Sequence, residues 1–512
     1  MKKREDKGAA SYITILIKFL QRVRSRIRKI NTVMEGRYSP ALLAFVVTVI
    51  AALTTILILF LPNYLGVAND GSTDEVMRSA GIYNMEEDPE QNYGNYFNKT
   101  YTEVASGAEV QGKVWNSQLI FLKAAKALDY LFTRDSIFDI RFMGLIYFLL
   151  YLPALYLIVR QTCERVKSFS EGILIAGAGL IIFSDVGYVT YFNSFYPEAL
   201  WFLAMLYCVG GIMSFQNKRS AYKDLSALIL ILVSGSVLVS SRRQSAVMGF
   251  ILAVPVIRLI SVRRSFIWGG GCVAGAFMLS LLSFICILGY PSDFNETSKL
   301  HAMTRGVLFS SADPAKTLSE FGIDPSYELL ADASAYDYLP FVRSGDGSLY
   351  HGFMDQYSIS DIGVYYLRHP TSLIGMIDVS IRQGMDMRRS NCGNYEKEAG
   401  FPEKAKSLFW SGWSSFKELS APKTVGYLFL LTGSIIFLFF RGFSIRPLED
   451  RRNTVFLDML FMVLASLLSQ SIVVIVNSGD AQMVQRLFLV GLSIDIMTYC
   501  VFAELLHKLR IV

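Results

Sequence analysis

The stretch Ala68-Asn69-Asp70-Gly71-Ser72-Thr73-Asp74-Glu75 follows directly on the first long apolar run, Leu42 to Leu61, which Pro62 ends. About twenty apolar residues cross a bilayer core as a helix, so the acidic cluster sits at a membrane surface. It leads into Val76-Met77-Arg78-Ser79-Ala80-Gly81, which opens a short helix with Thr73 or Asp74 as its N-cap. Asp70 and Asp74, four residues apart at the mouth of a membrane protein, are also candidates for proton or metal chemistry.

The rest of the composition agrees with that start. The chain has 512 residues, 52% of them hydrophobic and 18% charged, which is the balance of an integral membrane protein and not of a soluble enzyme. The six cysteines are scattered along apolar runs without CxxC or Cys/His spacing, which excludes a zinc framework on sequence grounds. The N-terminus carries no cleavable signal pattern. Residues 1–38 instead alternate basic residues with Ile13, Leu16, Leu20, Val23 and Ile27 at helical spacing. That pattern predicts a basic amphipathic helix lying on an anionic cytoplasmic leaflet rather than a nucleic-acid contact.

Apolar runs then recur at 42–61, 142–159, 171–184, 196–215, 225–240, 245–260, 266–289, 425–440, 455–476 and 486–506. They predict an all-α integral membrane protein with about ten transmembrane helices. With the N-terminus inside, the inner loops and their edges carry Arg160, Arg165, Lys167, Lys218, Arg219, Lys223, Arg258, Arg263, Arg264, Arg441, Arg446, Arg451, Arg452, Lys508 and Arg510. Every inner loop is basic, so both termini are expected in the cytoplasm. The organisation read from this is a cytoplasmic segment 1–38, a membrane region 39–290 with a first external loop 63–141, a large extracytoplasmic segment 291–424, and C-terminal spans over 425–512. Trp115 to Phe132 and Ile359 to Ile377, the second interrupted at His369-Pro370, read as amphipathic helices capping the outer surface.

Five polar groups far apart in sequence converge on that outer face. They are Asn69-Asp70 with Asp74-Glu75; Tyr191 to Glu198, which includes Asn193; Ser240-Ser241-Arg242-Arg243-Gln244; His301 to Arg305; and Asn477 to Asp480 through Gln485-Arg486. Arg242 and Arg243 break the charge rule, because a short external loop is ordinarily poor in arginine. A guanidinium held at a membrane boundary calls for an anion, and its fork suits phosphate oxygens; snorkelling, or pairing with Glu198 or Asp480, is the plainer account. Asp480 is also near enough in sequence to Arg486 to form an ordered pair.

These residues suit sugar transfer from a polyprenyl-phosphate donor. The leaving group is an anion that Arg242, Arg243, Arg486, His301 or Arg305 could hold, and the acceptor hydroxyl needs a carboxylate base, Asp70 or Asp74. Asn69, Asn193, Glu198, Gln244 and Asp480 would then face the sugars. There is no nucleotide-binding glycine loop.

An N-terminal span followed at once by an acidic motif in a large external loop resembles the GT-C superfamily of membrane glycosyltransferases. Val67-Ala68-Asn69-Asp70-Gly71 with Val76-Met77-Arg78-Ser79-Ala80-Gly81, Tyr191 to Glu198, and Gly479-Asp480 with Arg486-Leu487-Phe488 are similar to bacterial hexose transferases of the WsfD type. The resemblance implies a GT-C-like fold, Asp70 and then Asp74 as base, inversion at the anomeric carbon, and a polyprenyl-phosphate hexose donor. It further implies a glycan or glycolipid acceptor of the cell envelope and a bacterial plasma (inner) membrane. Some members bind a divalent cation, Mg or Mn, through acidic residues of the first loop and others none, so the cofactor stays open. Two other readings remain at this stage: a polymerase or ligase of the O-antigen type, using Arg242, Arg243 and His301 on a lipid diphosphate, and a flippase for lipid-linked sugars.

Overall fold

The computed structural model describes residues 39–85, 94–103, 115–166, 168–216, 220–290, 296–334, 351–439, 452–481 and 483–509, with Lys18, Arg22, Ser25, Asn31 and Thr32 before them. The N-terminal amphipathic helix and the inner-loop residues Lys167, Lys218, Arg219, Arg441, Arg446, Arg451 and Arg510 fall outside the described residues. What is described is an all-α integral membrane protein, with its small strands confined to the loops.

The first span, α1 (Pro40–Leu59), is started by Ser39, whose hydroxyl accepts from the Leu42 amide, and by Pro40 in the first turn. After it come β1 (Leu65–Val67), the short helix α2 (Asp74–Ser79), β2 (Ile82–Tyr83), β3 (Thr100–Glu103), the amphipathic helix α3 (Ser117–Thr133) and β4 (Ile137–Asp139). The next spans are α4 (Arg141–Cys163) and then a broken one, α5 (Phe169–Phe183) followed by the short α6 (Val186–Val189), bent by 45°. Asp185 causes the break. Its carboxylate caps the Gly187 amide at 2.8 Å and takes the Trp413 and Ser414 amides at 2.9 Å, so a straight helix would forfeit three hydrogen bonds.

Four further spans follow: α7 (Glu198–Met213), α8 (Ala221–Val239), α9 (Met248–Arg258) and α10 (Phe266–Gly289). The long segment after α10 holds α11 (Glu296–His301), α12 (Pro314–Glu320), α13 (Ile359–Arg368), α14 (Pro370–Gly384), β5 (Cys392–Tyr395) and α15 (Gly412–Leu419). The chain returns through α16 (Val425–Phe439), α17 (Arg452–Ser478), the short α18 (Met483–Arg486) and α19 (Phe488–Leu509). Eight helices among the described residues are long and apolar enough to span, nine with the bent pair, and α16 is a shorter apolar helix of 15 residues. Each of the ten apolar runs of the sequence is thus a helix.

The core helix is α7, almost wholly buried, while α1, α8 and α10 turn large apolar side chains such as Phe45, Val233 and Phe284 outward. That is the expected pattern where the solvent is lipid. Deep between the helices, Lys417 of α15 meets Asp495 of α19 at 2.9 Å, and the Tyr188 hydroxyl donates to the same carboxylate at 2.5 Å.

The segment between α1 and α4 and the one between α10 and α16 form one cap. β1 pairs antiparallel with β5, Leu65 opposite Tyr395, and β2, β3 and β4 form a second sheet. Strands of two to four residues leave no alternation to read, which is why the sequence shows only the helices here. Gly66 lets this pairing occur: a Cβ on it would stand 2.8 Å from the Asn193 carbonyl and inside the Phe97 ring. Gly66→Ala is expected to cost about 1–3 kcal/mol through overpacking. It should appear as a lower unfolding temperature in detergent, whereas Gly177→Ala, with nothing within 4 Å of its Cβ, leaves that temperature in place or raises it.

Candidate functional site

The acidic stretch folds as a turn wound around Asn69. The Asn69 side-chain oxygen accepts from the Gly71 amide and the Thr73 hydroxyl, each at 3.0 Å, and its amide donates to Asp74 at 3.1 Å. Gly71 supplies the positive φ of 84° that closes the turn. Thr73 occupies the N-cap position of α2 but gives its hydroxyl to Asn69 instead of the helix. Asn69 is therefore a buried strut, and Asp74 is committed to it and to Arg78, 3.7 Å away. Asp70 is left exposed on the rim; its carboxylate accepts from the Ser72 amide and its own amide donates to the Tyr196 hydroxyl at 3.1 Å.

Opposite this turn lies the short connection from α8 to α9. Ser241 and Ser245 both donate to the Leu238 carbonyl, at 2.8 and 2.7 Å, and satisfy the end of α8 without a longer loop. Trp201 of α7 donates to the Ser241 hydroxyl at 2.7 Å, and the Ser117 amide at the start of α3 donates to the Ser240 carbonyl at 2.9 Å. The connection is thereby held against the first loop. Between them is a cavity of about 130 Å³, lined by Ser72, Thr73 and Glu75 on one side and by Ser241, Arg242 and Arg243 on the other. Arg243 donates to the Tyr290 carbonyl at 3.2 Å, whereas the half-buried Arg242 side chain has no ion pair or hydrogen bond among the described residues. Neither arginine pairs with Glu198 or Asp480.

Those two carboxylates have other partners. Glu198, at the head of α7, is buried against Arg389, which follows α14. The Arg389 guanidinium also lies over the Tyr191 and Tyr196 rings, 5.9 and 5.5 Å from their centres. Burial opposes the Arg389 charge, but Tyr191, Glu198, Tyr196 and Asp70 around it outweigh that and hold it above the ordinary arginine value. Burial likewise pushes the Tyr196 phenol up, with the Asp70 charge adding to it, so Tyr196 remains a protonated donor beside the Asp70 turn.

Asp480 pairs with Arg305, not with Arg486: the guanidinium fork meets both carboxylate oxygens at 2.7 and 3.1 Å. Arg305 is spent on that contact and on Asp332 at 3.1 Å, which corrects its assignment to a donor phosphate. His301 is buried, 3.3 Å from the Ser334 hydroxyl, and does not line the Arg242 cavity. Asn193 is also a strut. Its amide bridges the Leu59 and Leu65 carbonyls at 3.1 and 3.0 Å, tying the end of α1 to β1 inside the protein. Gln244 donates to the Arg486 carbonyl at 2.6 Å and fixes α18, so neither amide faces a sugar.

The structure thus brings the Asp70 turn, Arg242, Arg243 and Glu198 to one region and sends His301, Arg305 and Asp480 to another. Sequence reasoning missed Arg388 and Arg389. Their signal was the same as for Arg242 and Arg243, two adjacent arginines on the outer side, but a long loop made it inconspicuous. No three His, Cys, Asp or Glu side chains gather as ligands among the described residues.

The sequence from residue 24 to 512 matches the family described as the YfdI N-terminal transmembrane domain. The chain belongs to that family. The match is to the YfdI family and not to the hexose transferases of the WsfD type, whose likeness stays with the short motifs alone. No match was found among curated proteins. Among solved structures, the chain is similar to the archaeal oligosaccharyltransferase AglB from Archaeoglobus fulgidus, in complex with an inhibitory peptide and a dolichol-phosphate. The identity is 10% and the TM-score 0.36, over 91% of this chain and 51% of that one. This YfdI-family chain spans about half the length of AglB.

The two arginine environments make opposite demands. Arg389→Ala leaves the Glu198 carboxylate buried without its cation and is expected to cost about 3–5 kcal/mol. Arg242→Ala removes no partner and should change stability by about 0.5 kcal/mol or less. Thermal unfolding of the two variants in detergent measures the difference.

Proposed function

We propose that this YfdI-family chain is a GT-C-type glycosyltransferase that moves a hexose from a polyprenyl-phosphate donor to a cell-envelope glycan or glycolipid. The observation that carries the reading is the cavity shared by the Asp70 turn and Arg242, with a guanidinium that has no protein anion. A donor phosphate supplies the missing charge, and the outward apolar faces of α8 and α10 beside the cavity suit the polyprenyl chain.

In the reaction, the acceptor oxygen forms a bond to the anomeric carbon while the bond from that carbon to the phosphate oxygen breaks. Asp70, exposed at the rim, takes the acceptor proton. Arg242 and Arg243 hold the departing phosphate, whose charge needs no general acid. Attack opposite the leaving group gives inversion. The membrane is then the plasma (inner) membrane of a bacterium, with the cap outside and both termini in the cytoplasm.

Two observations weigh against the competing readings. A polymerase or ligase that combines Arg242, Arg243 and His301 needs them on one ligand, and His301 lies against Ser334 instead. A flippase needs ionisable groups along a path, and the buried carboxylates of α19 are held, Asp495 by Lys417 and Tyr188 and Glu504 by Arg165.

The test is transfer of labelled hexose from a synthetic polyprenyl-phosphate hexose by purified protein in detergent. Asp70→Asn is expected to lower the rate by about 10²–10⁴-fold with an unchanged unfolding temperature. Arg242→Ala should lower it by about 10²-fold. Wild-type protein that is inert with monophosphate donors but extends a lipid-diphosphate glycan would replace this reading with the polymerase.

A further inference from the structure

A second cavity, of about 470 Å³, opens on the same cap between the end of α14, α15 and α18. Arg388, Arg389, Asp386, Ser414, Glu418 and Lys423 lie in its wall. It is more than three times the volume of the Arg242 cavity, and its size is that of a site for a small organic ligand, where about 300–1,000 Å³ is usual. Its cations are not equivalent. Arg389 is ion-paired with Glu198, and Lys423 with Asp386 at 2.5 Å. Arg388 has no such partner: its Nε and Nη2 atoms are buried and lack a hydrogen bond among the described residues.

The carboxylates near Arg388 do not fill the gap. Asp185 is turned to the Gly187, Trp413 and Ser414 amides, and Glu418 is exposed. A further cation crowds the same place, since Lys406 donates to the Arg388 carbonyl at 3.0 Å. Burial, and then repulsion from Arg388, pulls Lys406 below the ordinary lysine value. The Arg388 side chain is half-buried on the wall of this cavity and meets no carboxylate among the described residues, which suits an anionic ligand.

The position of this cavity relative to Asp70 gives the ligand its class. Asn391, two residues beyond Arg389, donates to the Ala68 carbonyl at 2.8 Å and to the Tyr196 hydroxyl at 3.2 Å, and Tyr196 in turn accepts from the Asp70 amide. The Asp70 turn is therefore linked to both cavities: Ser72 and Thr73 line the smaller one, and Tyr196 and Asn391 tie the turn to the chain that walls the larger one. We propose that the larger cavity binds the acceptor saccharide and that Arg388 holds a negatively charged group, a phosphate or a carboxylate, on that saccharide. This rests on the transfer reading above and adds to it that the acceptor is an anionic glycan, approaching Asp70 from the side opposite the donor phosphate.

The experiment measures binding without any lipid donor, so it stands apart from whether transfer is observed. Glucose, glucuronate and glucose 6-phosphate are titrated onto the full-length protein in detergent and followed by ligand-observed NMR. Wild type is expected to bind both anions at least about tenfold more tightly than glucose, the gain of a charge-assisted contact. The relative strength of glucuronate and glucose 6-phosphate tells carboxylate from phosphate. Arg388→Gln should abolish the preference and Arg388→Lys should keep most of it. Should Arg388→Gln unfold, Ser390→Trp serves in its place, because Ser390 is an exposed wall residue and a bulky side chain there obstructs the cavity. Equal binding of glucose and the anions by wild type, an anion preference that survives Arg388→Gln, or unchanged anion binding in Ser390→Trp would each overturn the proposal.

Discussion

The buried contact of Glu198 with Arg389 is the interaction on which the outer half of the protein depends. Two charges withdrawn from water are costly, and the cost is offset only where the partners stay together and further groups surround them. Here the Tyr191 and Tyr196 rings flank the guanidinium, and the Tyr196 hydroxyl reaches on to the first loop. One ion pair therefore joins the head of the central span α7, the chain after α14 and the Asp70 turn. These three pieces are far apart in sequence, and Asn391 ties them together again through the Ala68 carbonyl and the Tyr196 hydroxyl.

The bilayer sets the second constraint. Helices whose outer faces meet lipid must carry their polar groups at their ends or pair them inside. Both solutions occur. Lys417, Asp495 and Tyr188 form a neutral knot among the helices, and Asp185 breaks the span of α5 and α6 to collect three amides from its own segment and the cap. The cap is thus fastened to the membrane helices by buried polar contacts as well as by apolar side chains such as Leu119, Leu122 and Ile381. The Arg305–Asp480 fork does the same at the other corner, where α17 ends against the segment after α11.

Against this tightly paired background the two unpartnered guanidiniums stand out. Arg242 and Arg388 each line a cavity, and the Asp70 turn contributes Ser72 and Thr73 to the first of them. Arg305 and Arg389 each meet a carboxylate, whereas Arg242 and Arg388 meet none among the described residues. The family match, to the YfdI N-terminal transmembrane domain, covers both cavities.

The ten apolar runs, the amphipathic stretches at 115–132 and 359–377, and the break at His369-Pro370 were legible because each is a local pattern: run length, helical spacing, or a proline that cannot continue a helix. The exceptional Arg242-Arg243 was legible for the same reason, since its neighbours on both sides are apolar. The partners of the charges were not. Nothing in the order of residues distinguishes Asp480 with Arg305 from Asp480 with Arg486, or marks Asn69 and Asn193 as struts instead of sugar contacts. Glu198 meets an arginine 191 residues away, and Ser72 faces Arg242 only because α3 docks on the turn after α8. Sequence by itself determined which segments enter the membrane, because transfer into lipid depends on composition summed along a short window. Tertiary structure alone decided which charges are spent on one another and which are left for a ligand, because an ion pair depends on a few ångströms of separation between residues that the chain keeps hundreds of positions apart.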